Sequence, residues 1–316
     1  MKHHTTRAAA LLTALTLCAA SAWAAMLDAE FLALCKKGTV AQVRKALKDG
    51  ANPNARNERG APALFLALGN EKNPEVLKAL LDAGADPNAR DKDGKTALMA
   101  ATLDDNPPAI WALLKAGADV NAQHQGVTAL TYWPDCCGGD EKLAPPKRAQ
   151  VVRLLLGAGA DPTGGCRPDD DDCKPQLVRE AGRVDAATIQ AYMEYGGDVR
   201  ALGGDAALME AVRYNENPGV VKALLSAGAG ANLKDEALRT AASFWNLHAV
   251  RELLAAGANC RAQDANGHDA LWHTENPDSG YNDPRAFHDE SRKAAVIRLL
   301  QQGGGAKKPA KKKRKQ

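Results

Sequence analysis

The stretch LLDAGADPNARDKDG at 80–94, Leu80 to Gly94, decides the fold of this 316-residue chain because it returns along the sequence. It recurs as LLKAGADVNAQHQG at 113–126, LLGAGADP at 155–162, LLSAGAGAN at 224–232 and LLAAGANCRAQDANG at 253–267. An earlier copy, LKDGANPNARNERG, lies at 47–60, and weaker ones are MEYGGDVRA at 193–201 and LLQQGGG at 299–305. The first glycines (Gly50, Gly84, Gly117, Gly159, Gly196, Gly228, Gly257, Gly303) stand 34, 33, 42, 37, 32, 29 and 46 residues apart. Eight copies at a period near 33 predict a solenoid, in which each unit buries its apolar face only against its neighbours.

One unit shows the physics. In NPEVLKALLDAGAD, Asn73 is placed to cap free N–H groups and Pro74 sits where no N–H is needed, so a helix is predicted to start there. Val76, Leu77, Leu80 and Leu81 share one helical face, and Gly84 supplies the left-handed residue that ends the helix. Asn106-Pro107 and Asn217-Pro218 repeat the start signal. A shorter helix precedes each, as in TALMAA at 96–101, with Leu98 inward and Ala100 and Ala101 allowing close approach. Between units, Asp91-Lys92-Asp93-Gly94 has the turn residues of a hairpin.

The G-x-T-A-L-x-x-A-A of Gly94 to Ala101 and the L-L-x-A-G-A-D-x-N-A of Leu113 to Ala122 resemble the ankyrin-repeat consensus, with Ala97 for the usual Pro. The resemblance covers roughly 27–305. It implies an all-α solenoid of stacked helix-turn-helix units, with hairpin loops at one edge and a concave face that binds another protein. The unit at about 165–200 has lost the first-helix motif, and the insertions at about 134–147 and 275–289 are expected to be loops.

The ends read differently from the body. Lys2, Arg7, the apolar run Ala8 to Ala20 and Ala22-Trp23-Ala24 form a secretory signal, with cleavage expected after Ala24 and a periplasmic or secreted product. A repeat domain at 25–305 and a basic tail at 306–316 follow. Seven of the 41 basic residues fall in the last ten positions; without these, Lys2 and Arg7, 32 bases face 38 acids, a net −6 that argues against a nucleic-acid-binding body. The tail, KKPAKKKRKQ, reads as a solubilising end, as a hold on anionic envelope surface or nucleic acid, or as a nuclear-import signal in an effector delivered to a host. No stretch is long and apolar enough to span a bilayer, and a monomer is expected.

No catalytic or cofactor motif is present. His268 and His273 are five apart, off the spacing of a zinc protease helix, and read as ordinary loop and helix residues. Gly303 to Lys308 lacks the ending of a phosphate loop, and Asp91 to Gly94 lacks the distal Glu of a calcium loop. Neither metal nor cofactor is expected. In an exported chain the clustered Cys136, Cys137, Cys166 and Cys173 read first as one or two disulfides, with free thiols or a metal site as alternatives. Cys35 falls in a small-residue core column and Cys260 at a hairpin position.

Two places are candidates for partner contact. The column Arg44, Lys78, Trp111, Arg153, Gln190, Lys222, Arg251 is polar except at Trp111, which reads as a convex-side contact or as a ring resting on basic stems. In the ankyrin pattern the residues after the paired small residues face the groove: Lys36-Lys37, Thr102-Leu103, Arg213-Tyr214 and Ser243-Phe244. With Trp245 at the usual turn glycine, Tyr214, Phe244 and Trp245 are expected to form an aromatic step, or else to pack inward.

Overall fold

The computed structural model describes residues 28–70, 74–132, 145–163, 176–195, 198–277 and 289–303. The signal segment, the basic tail, Asn73 and all four clustered cysteines lie outside these residues. The chain divides into two compact units, Met1–Gly139 and Asp140–Gln316.

In the first unit, helices α1 (28–37), α2 (Val40–Lys48), α3 (Ala63–Leu68), α4 (Glu75–Asp82), α5 (Ala97–Leu103) and α6 (Pro107–Lys115) alternate. Helix α3 packs on α5, while α2 packs on α4 and α4 on α6, so first and second helices of the repeats form separate layers. The second unit has α7 (Pro145–Gly157), α8 (Gln176–Ala181), α9 (Ala186–Tyr195), α10 (Gly204–Tyr214), α11 (Val220–Ser226), α12 (Lys234–Ser243), α13 (Leu247–Ala255), α14 (Ala270–Glu275) and α15 (Glu290–Gly303). There α8, α10, α12 and α14 stack in one layer and α7, α9, α11, α13 and α15 in the other. Among the described residues this is an all-α solenoid architecture, with single β-bridges but no strands.

Leucine spacing builds the layers. Leu80, Leu113, Leu155, Leu224 and Leu253, the first of each Leu-Leu pair, are all fully buried, and each gains the transfer free energy of a buried side chain, roughly 2 kcal/mol. Gly84 ends α4 at φ +86°, turning the chain so that its N–H meets Leu81 O and the Ala85 N–H meets Leu80 O, both at 3.0 Å. The fifth repeat keeps its first helix after all: α8 buries Leu177, Val178 and Ala181 although it lacks the consensus motif. Of the first expected insertion, residues 145–147 belong to α7.

Two expectations are corrected. Asn106 does cap α6, accepting from the Ala109 N–H at 3.1 Å, but Asn217 does not cap α11. Gly219, at φ +88°, delays that helix to Val220, and the next repeat's Glu252 accepts from the Gly219 and Lys222 N–H groups at 2.5 and 3.0 Å. A carboxylate there also meets the positive end of the helix.

Hairpins, too, do not follow every repeat. The first unit has them, each closed by a bridge: Arg56 with Pro62, Arg90 with Thr96, His124 with Val127. They stack through Asn54 and Asn88, whose Oδ1 atoms accept from Asp86 N–H (2.8 Å) and Asp119 N–H (2.7 Å) in the following repeat. Over 198–203, ahead of α10, and between α11 and α12, turns replace the hairpin. The acceptor role passes to Asp205 and Asp235, in the first turns of α10 and α12, which bind Gly230 N–H (2.6 Å) and Asn259 N–H (2.7 Å). Those short units therefore keep the inter-repeat bond while losing the loop.

Candidate protein-interaction face

In the second unit the turns from first to second helix carry the aromatics. Tyr214, the last residue of α10, is half-buried, with the Gly182 backbone of the preceding repeat on one side; a Cβ on Gly182 would come within 3.3 Å of Tyr214 Cβ. On the other side it meets Phe244 edge to face, ring centroids 5.6 Å apart and planes at 85°, the arrangement that aromatic quadrupoles favour. Tyr214 thus joins the turns of three successive repeats.

Phe244 and Trp245 sit deeper, at 9% and 6% exposure, the inward-packed of the two arrangements that the sequence leaves open. Trp245 Nε1–H donates to Thr274 O at 3.0 Å, and Lys293 Nζ lies 5.3 Å from the centre of its ring. The turn forces this: Trp245 occupies a left-handed conformation at φ +53°, which a bulky residue adopts only when its surroundings hold it there. What the step offers to the outside is Tyr214, flanked by the half-buried Arg213 and Ser243.

In the first unit the corresponding positions are mixed. Thr102 is fully buried and turns its hydroxyl back to Leu98 O at 2.9 Å, so it is not a groove residue. Leu103 is half-buried, and Lys36 and Lys37 are exposed. On α6, Trp111 is 51% exposed with Lys115 Nζ 5.3 Å from its ring centre, so a basic side chain one turn on does lie over the indole.

A set of buried asparagines holds the turn row in place, and sequence reasoning missed it. Asn70 Nδ2 donates to Cys35 O (3.1 Å) and Gly38 O (3.0 Å) in the first unit. In the second, Asn215 donates to Ala181 O (2.7 Å) and Val184 O (2.8 Å), and Asn246 to Val212 O (3.1 Å) and Asn215 O (2.9 Å). Each amide satisfies carbonyls at the end of the preceding repeat's first helix, groups that would otherwise be buried without donors. An Asn ahead of the second helix was the available signal. Its register wanders, because it follows Ala63, Ala207 and Ala237 by seven, eight and nine residues.

His268 and His273 are loop and helix residues as read, and the structure adds that they meet at one carboxylate. Asp264, in the hairpin before α14, receives the His268 backbone N–H at 2.9 Å and the Asn266 N–H at 2.8 Å, and contacts His273 Nε2 at 3.0 Å. These bonds, that of His268 first, hold its carboxyl down at about 2.

Comparison with known families agrees with this architecture. A family model described as ankyrin repeats in three copies matches residues 31–134, and one for a single ankyrin repeat matches 203–236. No curated relative matches the chain.

Proposed function

We propose, from the premise that this chain belongs to the ankyrin-repeat family, that it is an exported, non-enzymatic scaffold that binds another protein in the periplasm. Ankyrin repeats generally mediate protein–protein interaction, and proteins built from them are typically scaffolds rather than enzymes. The observation that carries the reading is the stacked layer of first helices, whose turn row leaves Tyr214, Arg213 and Ser243 accessible beside a rigidly packed Phe244. Half-buried aromatics supported from below are the side chains on which protein interfaces concentrate their energy. Export rests on Lys2, Arg7, the apolar run and the Ala-x-Ala site, and periplasmic oxidation would join at least two of Cys136, Cys137, Cys166 and Cys173. Among the described residues no helix is long and apolar enough to cross a membrane.

Capture of partners from periplasmic extract by the monomeric chain starting at Ala25 tests this reading. Tyr214→Ala is expected to weaken the captured interaction by about 2 kcal/mol, beyond the fall in melting temperature that loss of its contact with Phe244 brings. Trp111→Lys tests the convex side; unchanged capture would assign that ring to its contact with Lys115 alone. A second reading, a secreted effector acting inside a host cell, is favoured by the seven basic residues of the tail. Fractionation separates the two: retention in the periplasm supports the scaffold, and recovery from the medium or host nuclei supports the effector.

A further inference from the structure

The hairpin that leads into α14 carries a cluster that partner binding does not explain. His268, at the hairpin's end, lies flat on Trp272 of α14, ring centroids 3.5 Å apart and planes at 4°. His273, one residue further along the helix, points Nε2 at Asp264 Oδ2 at 3.0 Å, and His268 Nδ1 lies 3.9 Å from the same oxygen. The two imidazoles stand 6.1 Å apart, nearly perpendicular. Among the described residues no group of three or more His, Cys, Asp or Glu is arranged to hold a metal ion, so coordination does not account for the convergence.

We propose that Asp264, His268, Trp272 and His273 form a proton-operated latch that fastens this hairpin to α14, tightening as the imidazoles take up protons. Histidine is the side chain whose charge ordinarily changes between pH 5 and 8. Asp264 is a fixed negative charge across that interval, since its carboxyl is held at about 2. With neutral rings, the His273 contact is a single hydrogen bond, and the 3.9 Å separation of His268 from the carboxylate is too long to be one. A proton on His273 makes its contact a charge-assisted bond, and a proton on His268 adds an ion-pair attraction and a cation stacked on the indole. The bond to His273 and the stack on Trp272 join hairpin to helix, while the His268–Asp264 attraction braces the hairpin itself.

The charged groups on the neighbouring elements leave this intact. On α12, Arg239 reaches Ala262 O at 3.3 Å and Asp235 binds Asn259 N–H, both in the same segment. On α15, Arg292 pairs with Glu216 and Lys293 lies over Trp245. Asp269 is engaged in capping α14, accepting from the Trp272 N–H at 3.0 Å, and Glu275 is the helix's last residue.

Amide hydrogen exchange of the full chain at pH 8 and pH 5.5 tests the latch, each rate divided by its intrinsic value at that pH. In wild type, protection of the 259–268 segment is expected to rise about threefold on acidification, the scale of a half-exposed ion pair. In the His268→Gln, His273→Gln double variant, whose side chains keep hydrogen-bonding capacity but take no proton, the rise should vanish. Tryptophan emission of wild type minus Trp272→Phe gives a second readout, since a protonated imidazole stacked on Trp272 should quench it; His268→Gln alone should reduce the quench and the double variant abolish it, His273 standing edge-on 5.1 Å from the same ring. Equal or lower wild-type protection at pH 5.5, or the same rise in the double variant, would overturn the proposal.

Discussion

Cys35 shows how far a single side chain is governed by its place. It is fully buried in α1 beneath a turn whose carbonyls Asn70 satisfies, and burial pushes its thiol up to about 12. The folded state therefore favours the neutral thiol, and the associated stability is complete below the ordinary thiol value near 9 and is lost as pH rises from there towards 12. We expect the Cys35 peptide to escape alkylation at pH 8 in folded protein and to label fully in denaturant, as read by mass mapping. Trp245 gives the opposite lesson, a large residue at a backbone angle suited to glycine. Removing the indole loses burial and the bond to Thr274 O, a destabilisation of roughly 3–5 kcal/mol. Glycine, however, relieves the left-handed strain that alanine retains. Urea unfolding should accordingly show Trp245→Ala less stable than Trp245→Gly by about 1 kcal/mol, reversing their usual order.

At the scale of helices and turns, Asn246 and Asn106 begin their second helices in the same way but carry different loads. Asn106 caps α6, whereas Asn246 both caps α13, accepting from Ala249 N–H at 3.1 Å, and ties repeat seven to the carbonyls of repeat six. Asn106→Ala should destabilise by about 1 kcal/mol, the usual loss of a cap. Asn246→Ala, which also strands buried carbonyls, should reach roughly 3 kcal/mol in the same denaturant measurement. The contrast explains what the sequence made legible. Leucine pairs and helix-ending glycines recur with one identity and one spacing, so each copy confirms the others. The asparagine bridges shift by a residue from repeat to repeat, and the asparagine-to-aspartate exchange between Asn54 and Asp205 preserves a bond while changing the letter. The direction of Phe244 was undetermined for a related reason: a helix-end residue faces outward or inward according to the turn beyond it, here set by Trp245 at φ +53°. Asp264 meets His273 across nine positions that no helical or strand period links.

Across the whole molecule, charge is distributed so that one short segment reverses the sign of the rest. The chain from Ala25 carries 39 basic and 38 acidic residues, and removing 306–316 takes away seven of the bases, changing its net charge from +1 to −6. Acidic residues in the body have structural duties: Asp205 and Asp235 bond successive repeats, and Glu252 closes the start of α11. The tail gathers seven bases with no acid among them, so it is expected to attract an anionic surface. Truncation at Gly305 should abolish binding to vesicles rich in anionic lipid, which the intact chain should show at low salt and lose towards 0.5 M as screening shortens its reach to a few ångströms. Melting temperature should not change. Capture of the protein partner should survive truncation, because the proposed contact lies on the Tyr214 turn row. If capture is lost with the tail while the melt is unchanged, the basic segment rather than the repeat face holds the partner.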